Sequence, residues 1–206
     1  MHRPRPRGMT LVELLVGLAI GLVLIALAIA LLVWQLREHR ALLLQSRLMQ
    51  DLRVATEVVT RDLRRAGYRG EALDGPNPFA ALAPASAPSD AVSFRYARDS
   101  SDEPLGFRLH DGVIEMLLGG RWQALTDPAT LVVTLFQVVP SVHEIDLQGL
   151  CARACPSAAP PCAPRQLVRS LEVTIGGHPP TERHMVRSVQ SHVRLRNDAI
   201  VGRCPA

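Results

Sequence analysis

The sequence predicts an α+β chain in which one long N-terminal helix packs on an antiparallel β-sheet head. Three observations predict it. Residues 14–34 run for 21 positions without a formal charge. Between Gly21 and Gly67 there is neither glycine nor proline, so nothing interrupts a helix there. After Gly70 the pattern becomes short apolar runs, several of them alternating with polar residues and bounded by turn residues, the mark of strands.

A chain of 206 residues fits one domain with an appendage, or two small domains. Hydrophobic residues make up 48 %, many of them in the first 34 positions, and all 23 basic residues are arginine. That arginine bias is consistent with genomic base composition and is given no functional weight. The formal charge is +4, and Arg3, Arg5 and Arg7 precede Gly8 with no acid among them. Without those three the charge is 4 − 3 = +1. A nearly neutral product argues against a dedicated nucleic-acid binder, which carries a basic patch or a high domain charge.

Residues 14–34 would make a helix about 31 Å long, enough to cross a bilayer core. A secretory signal has a shorter core, about 7–15 residues, followed by a small-residue cleavage site. Ala26 and Ala28 imitate such a site, yet apolar residues continue through Leu31, Leu32, Val33 and Trp34. A membrane anchor fits better, with the arginine leader kept cytoplasmic and the remainder outside. An anchor leaves Glu13 unexplained, because a carboxylate at the bilayer centre costs roughly 2.5–3.5 kcal/mol. Gly17 and Gly21 form a GxxxG, which lets helices approach closely.

The stretch G-MTLVELLVGLAIGLVLI resembles the class III signal of type IV prepilins. In that family a basic leader ends in glycine. An inner-membrane prepilin peptidase cuts after it and methylates the new amino group, and a glutamate lies fifth in the mature chain. The resemblance therefore implies cleavage between Gly8 and Met9, N-methylation of Met9, and an assembly role for Glu13. Met9 departs from the family's usual phenylalanine but stays apolar. In the filament the resemblance implies that Glu13 of one subunit meets the amine of a neighbour. Such a pair in low dielectric is directional, because either charge left alone is costly. The acid then reads as a register device.

The helix is expected over about residues 10–66, roughly 85 Å. In its outer half Leu48, Leu52, Ala55, Val59, Leu63 and Ala66 recur at spacings of three and four, one apolar stripe. Arg47, Asp51, Arg53, Glu57, Arg61, Arg64 and Arg65 lie largely off it and read as a solvated face. RDLRRAGYRG ends the helix, with Gly67 suited to a C-cap. This segment, and the closing VRLRN, resemble minor pilins of the PilW type.

Residues 71–90, rich in proline and alanine, read as a loop. AVSFRYA then reads as a strand. GFRLHDGVIEMLLGGRWQALT reads as a meander turning at His110-Asp111-Gly112 and Gly119-Gly120. LVVTLFQVV, RSLEVTIGG and SVQSHVRLRND supply three more strands. Together they suggest one antiparallel sheet on the helix.

Cys151, Cys155 and Cys162 cluster, and Cys204 lies near the end. In an exported domain they favour disulfides, with three pairings open. A zinc site would have x3, x6 and x41 spacings, unlike close-set ligand pairs. The tail has little apolar material, so Cys204 is expected to tie it to one member of the cluster, with the other two paired together. Which member is used stays open. No GxSxG, P-loop or HExxH is present, and His178, His184 and His192 read as structural or solvated. No enzyme, metal or cofactor is expected.

The pilin-like resemblance implies this division: leader 1–8, transmembrane half 9–34, amphipathic half 35–67 and periplasmic head 68–206. It implies a minor pilin that co-assembles into, and primes, a type IV pilus. The partners implied are the prepilin peptidase, major and other minor pilins, and the inner membrane. A type II secretion pseudopilin of the GspJ type has the same signal. A tip adhesin or DNA-binding module is the alternative of another class, and Arg165, Arg169, Arg183 and Arg187 gathered on one sheet face would favour it.

Overall fold

The structure, a computed structural model, describes residues 10–70, 77–97, 103–155 and 162–205. One helix, α1 (Leu11–Leu63), opens the chain. The chain divides into two units, Met1–Ser46 and Arg47–Ala206. In the first, the apolar side chains of α1 are exposed, from Leu11 to Leu43. The second holds the rest of α1 and all the strands.

In the second unit the stripe on α1 is a core face. Leu48, Leu52, Ala55, Val59, Leu63 and Ala66 are all buried. Two threonines share that face with their hydroxyls satisfied. Thr56 Oγ1 donates to the Leu52 carbonyl at 2.7 Å, and Thr60 Oγ1 to the Glu57 carbonyl at 3.2 Å. A buried hydroxyl without such a bond would cost on the order of 1–3 kcal/mol.

The strands are all antiparallel but form two sheets where one was expected. The first has the order β1 (Leu82–Ala83), β2 (Ala91–Phe94), β3 (Leu105–His110), β4 (Val113–Leu118) and β5 (Arg121–Ala124). The second has β6 (Val132–Asp146), β7 (Arg165–His178) and β8 (Arg187–Arg194) in that order, with β9 (Ala199–Val201) also paired to β7. A short 3-10 helix, Gln148–Leu150, follows β6. Among the described residues one isolated bridge, Ser89 with Val138, links the sheets, each N–H donating to the other carbonyl, and the Val133 N–H of β6 donates to the Gly112 carbonyl of the β3–β4 turn at 2.8 Å.

Both expected meander turns occur. Asp111 and Gly112 have φ of 48° and 77°, and Gly119 and Gly120 have 60° and 70°. Two successive positive φ values are what two-residue hairpins need to match strand twist. The core joins both sheets to the helix through Val92, Phe94, Phe107, Phe136, Val173 and Ile175 among others. The Phe94 and Phe107 rings stack at 6.2 Å.

β6 and β7 are longer than the apolar runs that announced them. β6 passes through Pro140 and continues to Asp146, in unbroken register with β7 from Leu135↔Gly176 to Asp146↔Arg165. A proline cannot donate to a ladder and is confined to sheet edges. β6 is the edge of its sheet, so Pro140 is tolerated. Within the expected loop at 71–90, residues 82–83 form β1, and residues 71–76 lie outside the described residues.

Near the start of β6 the register shifts between Val133 and Leu135, opposite Gly176 and Gly177. A Cβ on Gly177 would overlap the Val132 carbonyl oxygen and come within 2.8 Å of Leu131 Cδ1. Gly177→Ala is therefore expected to destabilise the head by about 1–3 kcal/mol. Gly149→Ala, which meets nothing within 4 Å, is expected to change stability by less than about 0.5 kcal/mol. Urea unfolding of the full chain in mild detergent checks both.

Candidate functional site

Helix α1 begins with a reciprocal pair of hydrogen bonds. Thr10 precedes the helix, and the Leu14 N–H donates to its carbonyl at 3.2 Å, the first intrahelical bond. The Glu13 N–H donates to Thr10 Oγ1 at 3.3 Å, and Glu13 Oε2 accepts from the Thr10 N–H at 3.0 Å. Oε2 also accepts from the Thr10 hydroxyl at 3.1 Å. This is a capping box, in which a threonine and an acid three residues on satisfy each other's orphan donors. An acid in the first turn is also favoured by the helix dipole. The T-L-V-E spacing announces the box, and the sequence reading passed over it. Glu13 thus has an intrachain partner as well as any it meets outside. Among the described residues, its second oxygen, Oε1, takes no hydrogen bond. Gly8 and Met9, where processing is expected, lie outside the described residues.

Beyond Glu13, α1 is long and apolar enough to cross a membrane. Its side chains there are exposed, from Leu14 at 56 % to Trp34 at 61 %. An uncovered apolar surface of that extent marks a membrane or protein contact. Cβ atoms on Gly17 and Gly21 would meet nothing within 4 Å, so the GxxxG face is open.

The other end of α1 is tied into the head. Gly67 has φ of 75°, the left-handed conformation expected of a glycine after a helix. Its N–H donates to the Arg95 carbonyl at 2.8 Å, and the Ala97 N–H donates to the Tyr68 carbonyl at 2.8 Å. The Gly67 carbonyl accepts from the side-chain amides of Asn77 at 2.8 Å and Asn197 at 3.1 Å. Asn197, itself at φ 59°, reaches on to the Arg69 carbonyl at 3.4 Å. Arg169 of β7 lies alongside and donates from Nη1 to the Ala80 carbonyl at 2.6 Å. Burial holds the Arg169 guanidinium below its usual pKa, with the Asp198 charge opposing that shift.

Cys151 is bonded to Cys204 and Cys155 to Cys162, with Cα–Cα distances of 5.3 and 5.7 Å. All four sulfurs are therefore taken up, and Cys151 is the cluster member that holds the tail. β9 lies just before Cys204 and pairs with residues 165–167 of β7. Leu147 N–H donates to the Pro164 carbonyl at 2.9 Å beside this junction.

The four arginines named for a basic sheet face do not come together. Arg165 pairs with Glu144 at 3.1 Å, and Arg169 is used at the helix end. Arg187 stands opposite Gly177, twelve residues along β7 from Arg165 and about 40 Å away at strand rise. Among the described residues no group of three or more His, Cys, Asp and Glu side chains is placed to hold a metal ion.

A family model described as Prepilin peptidase-dependent protein B matches residues 41–195. A second, described as Prokaryotic N-terminal methylation motif, matches residues 3–32. No curated protein and no solved structure matches the chain.

The Cys151–Cys204 bond closes a loop with a sequence separation of 53. Removing it with the double variant Cys151→Ser, Cys204→Ser is expected to lower stability by about 4 kcal/mol on the chain-entropy estimate. It should also release β9. Hydrogen exchange of the 199–201 amides, measured against the wild type, reads the release directly.

Proposed function

The chain belongs to the prepilin peptidase-dependent protein B family, and on that premise we propose that it is a minor pilin of the PilW type that co-assembles into, and primes, a type IV pilus. The observation that carries this reading is the N-terminal helix. It starts with a capped glutamate, continues as an apolar surface with nothing covering it, and ends in a folded head. A methylation motif matched over residues 3–32 supports the same reading.

The sequence of events follows from the residues. The basic leader stays in the cytoplasm while the apolar helix crosses the inner membrane and the head folds in the periplasm, an oxidising compartment that permits both disulfides. Prepilin peptidase cuts between Gly8 and Met9 and methylates the Met9 amine. The new positive charge then lies about one helical turn from Glu13. In a lone subunit Glu13 is satisfied at Oε2 by Thr10. On assembly Oε1 takes the amine of a neighbour, and the open face at Gly17 and Gly21 lets major and other minor pilins approach. Subunits one residue out of register would leave two charges unpaired in hydrocarbon, a penalty of several kcal/mol. The segment RDLRRAGYRG favours the pilus over a type II secretion pseudopilus of the GspJ type.

Two experiments test this. Gly8→Arg is expected to leave the precursor uncut in cells making prepilin peptidase, seen as an intact leader in the mass of the N-terminal peptide. Cleavage of the variant at wild-type level would refute the assigned site. Glu13→Gln preserves a capping box, which accepts glutamine at that position, while removing the charge. It should insert normally, yet its share of sheared pili should fall about tenfold or more, since a lost charge pair is worth at least about 1.4 kcal/mol. Incorporation equal to wild type would show that Glu13 acts only as a cap.

A further inference from the structure

We propose that the end of α1 and the residues following β8 form a binding surface for single-stranded nucleic acid. Two open depressions lie side by side there and share Arg196. One, of about 570 Å³, is bordered by Arg64, Arg194 and Arg196. The other, of about 330 Å³, is bordered by Arg65, Tyr68, Tyr96 and Arg196. The arginines come from positions 130 residues apart. The Asn197 clamp on the Gly67 and Arg69 carbonyls brings the two segments together.

Among the described residues most of these arginines have no acidic partner. Arg64, Arg65 and Arg196 are exposed and make no ion pair within 4.0 Å among the described residues. Asp198, an acid that itself borders the first depression, is engaged by Arg194 at 2.5 Å and by the Gln166 amide at 2.6 Å. Carbonyls at the helix end that would repel an anion are occupied too. Those of Thr60, Asp62, Leu63 and Arg65 accept backbone N–H groups, and that of Gly67 accepts two side-chain amides.

Aromatic rings lie among these cations. Tyr68 is 39 % exposed, and the Arg196 guanidinium lies over its ring at 5.7 Å. Tyr96 is held more firmly, packed on the core and stacked on Phe94 at 6.4 Å. Guanidinium groups to take successive phosphates, with a tyrosine face to take a base, are the two parts of a single-strand site. A duplex would present no base face to Tyr68. An acidic protein surface would use the arginines but not the ring. The low formal charge, +4 for the full chain, does not oppose this surface, because its arginines are gathered locally around the two depressions.

The test uses the full chain in mild detergent, with fluorescent oligothymidylate as the probe and inorganic polyphosphate as the comparison. Binding at low salt should weaken with a log–log salt slope of about −2, from three phosphates at about 0.7 each. Arg64→Gln and Arg196→Gln should each reduce that slope by about 0.7. Tyr68→Leu should weaken oligothymidylate about tenfold while leaving polyphosphate unchanged. The backbone bonds of Tyr68 do not involve its ring, and unchanged urea unfolding confirms that each variant folds. Absence of binding at low salt overturns the proposal. So does a salt slope indifferent to both arginine changes. A Tyr68→Leu variant that binds oligothymidylate as well as wild type also overturns it, reducing the surface to a general anion or acidic-protein patch.

Discussion

The fold of the head depends on one act of burial, the covering of the apolar stripe on the outer part of α1. Among the described residues the backbone links between the two sheets are few, the Ser89–Val138 bridge and the Val133 N–H donating to the Gly112 carbonyl. What joins them is a shared core. Phe94 and Phe107 from the first sheet and Phe136, Val173 and Ile175 from the second lie in one cluster with Leu52, Val59 and Leu63. Each fully buried side chain of this kind contributes about 1.5–3 kcal/mol relative to exposure. Leu48, Leu52, Val59 and Leu63 of the helix are buried in the same cluster as the apolar residues of both sheets, so removing the helix would uncover part of each.

Where that helix stops, hydrogen bonds replace hydrophobic contact. The Gly67 N–H goes to Arg95, and its carbonyl receives Asn77 and Asn197, so three separate segments are fixed to one residue. Arg169 completes the arrangement from β7 by donating to Ala80. A side chain at position 67 would have to adopt φ of 75° and would meet Arg169 Nη2 at 3.1 Å. This gives the RDLRRAGYRG segment a structural content beyond capping. Its glycine is a junction between helix, first sheet and second sheet. Arg64 and Arg65 before it are exposed.

The opposite end of α1 presents a different problem, a carboxylate at the edge of an apolar helix. The capping box reconciles it with that position. Glu13 accepts hydrogen bonds from the Thr10 N–H and the Thr10 hydroxyl, so its charge is partly solvated by its own chain. That lowers the cost of holding the acid there while leaving one oxygen for a cation.

Local order was legible because it is written in neighbouring residues. The stripe at 48–66, the alternation of Leu171, Val173 and Ile175, and the Asp-Gly and Gly-Gly turns each depend on residues within a few positions of one another. The capping box was equally legible in T-L-V-E. Tertiary structure decided what depended on distance along the chain. The polar end of β6 has no apolar signal, and only its pairing with β7 and its place at a sheet edge make Pro140 acceptable. Cys204 closes on Cys151, although the entropy of closing on Cys162 instead differs by only about 0.2 kcal/mol, too little to choose between them from spacing. Arg165 and Arg187 lie far apart because strand register puts them there. Arg64 and Arg196 come together because an asparagine at φ 59° turns the chain back onto the helix end. Sequence by itself determined the helix, the apolar centres of the main strands and which of their faces would be apolar, but not β1, β9 or the polar half of β6. Which strands share a sheet, which sulfurs meet and where the cations gather were decided by packing, since those choices differ by less free energy than any local pattern can encode.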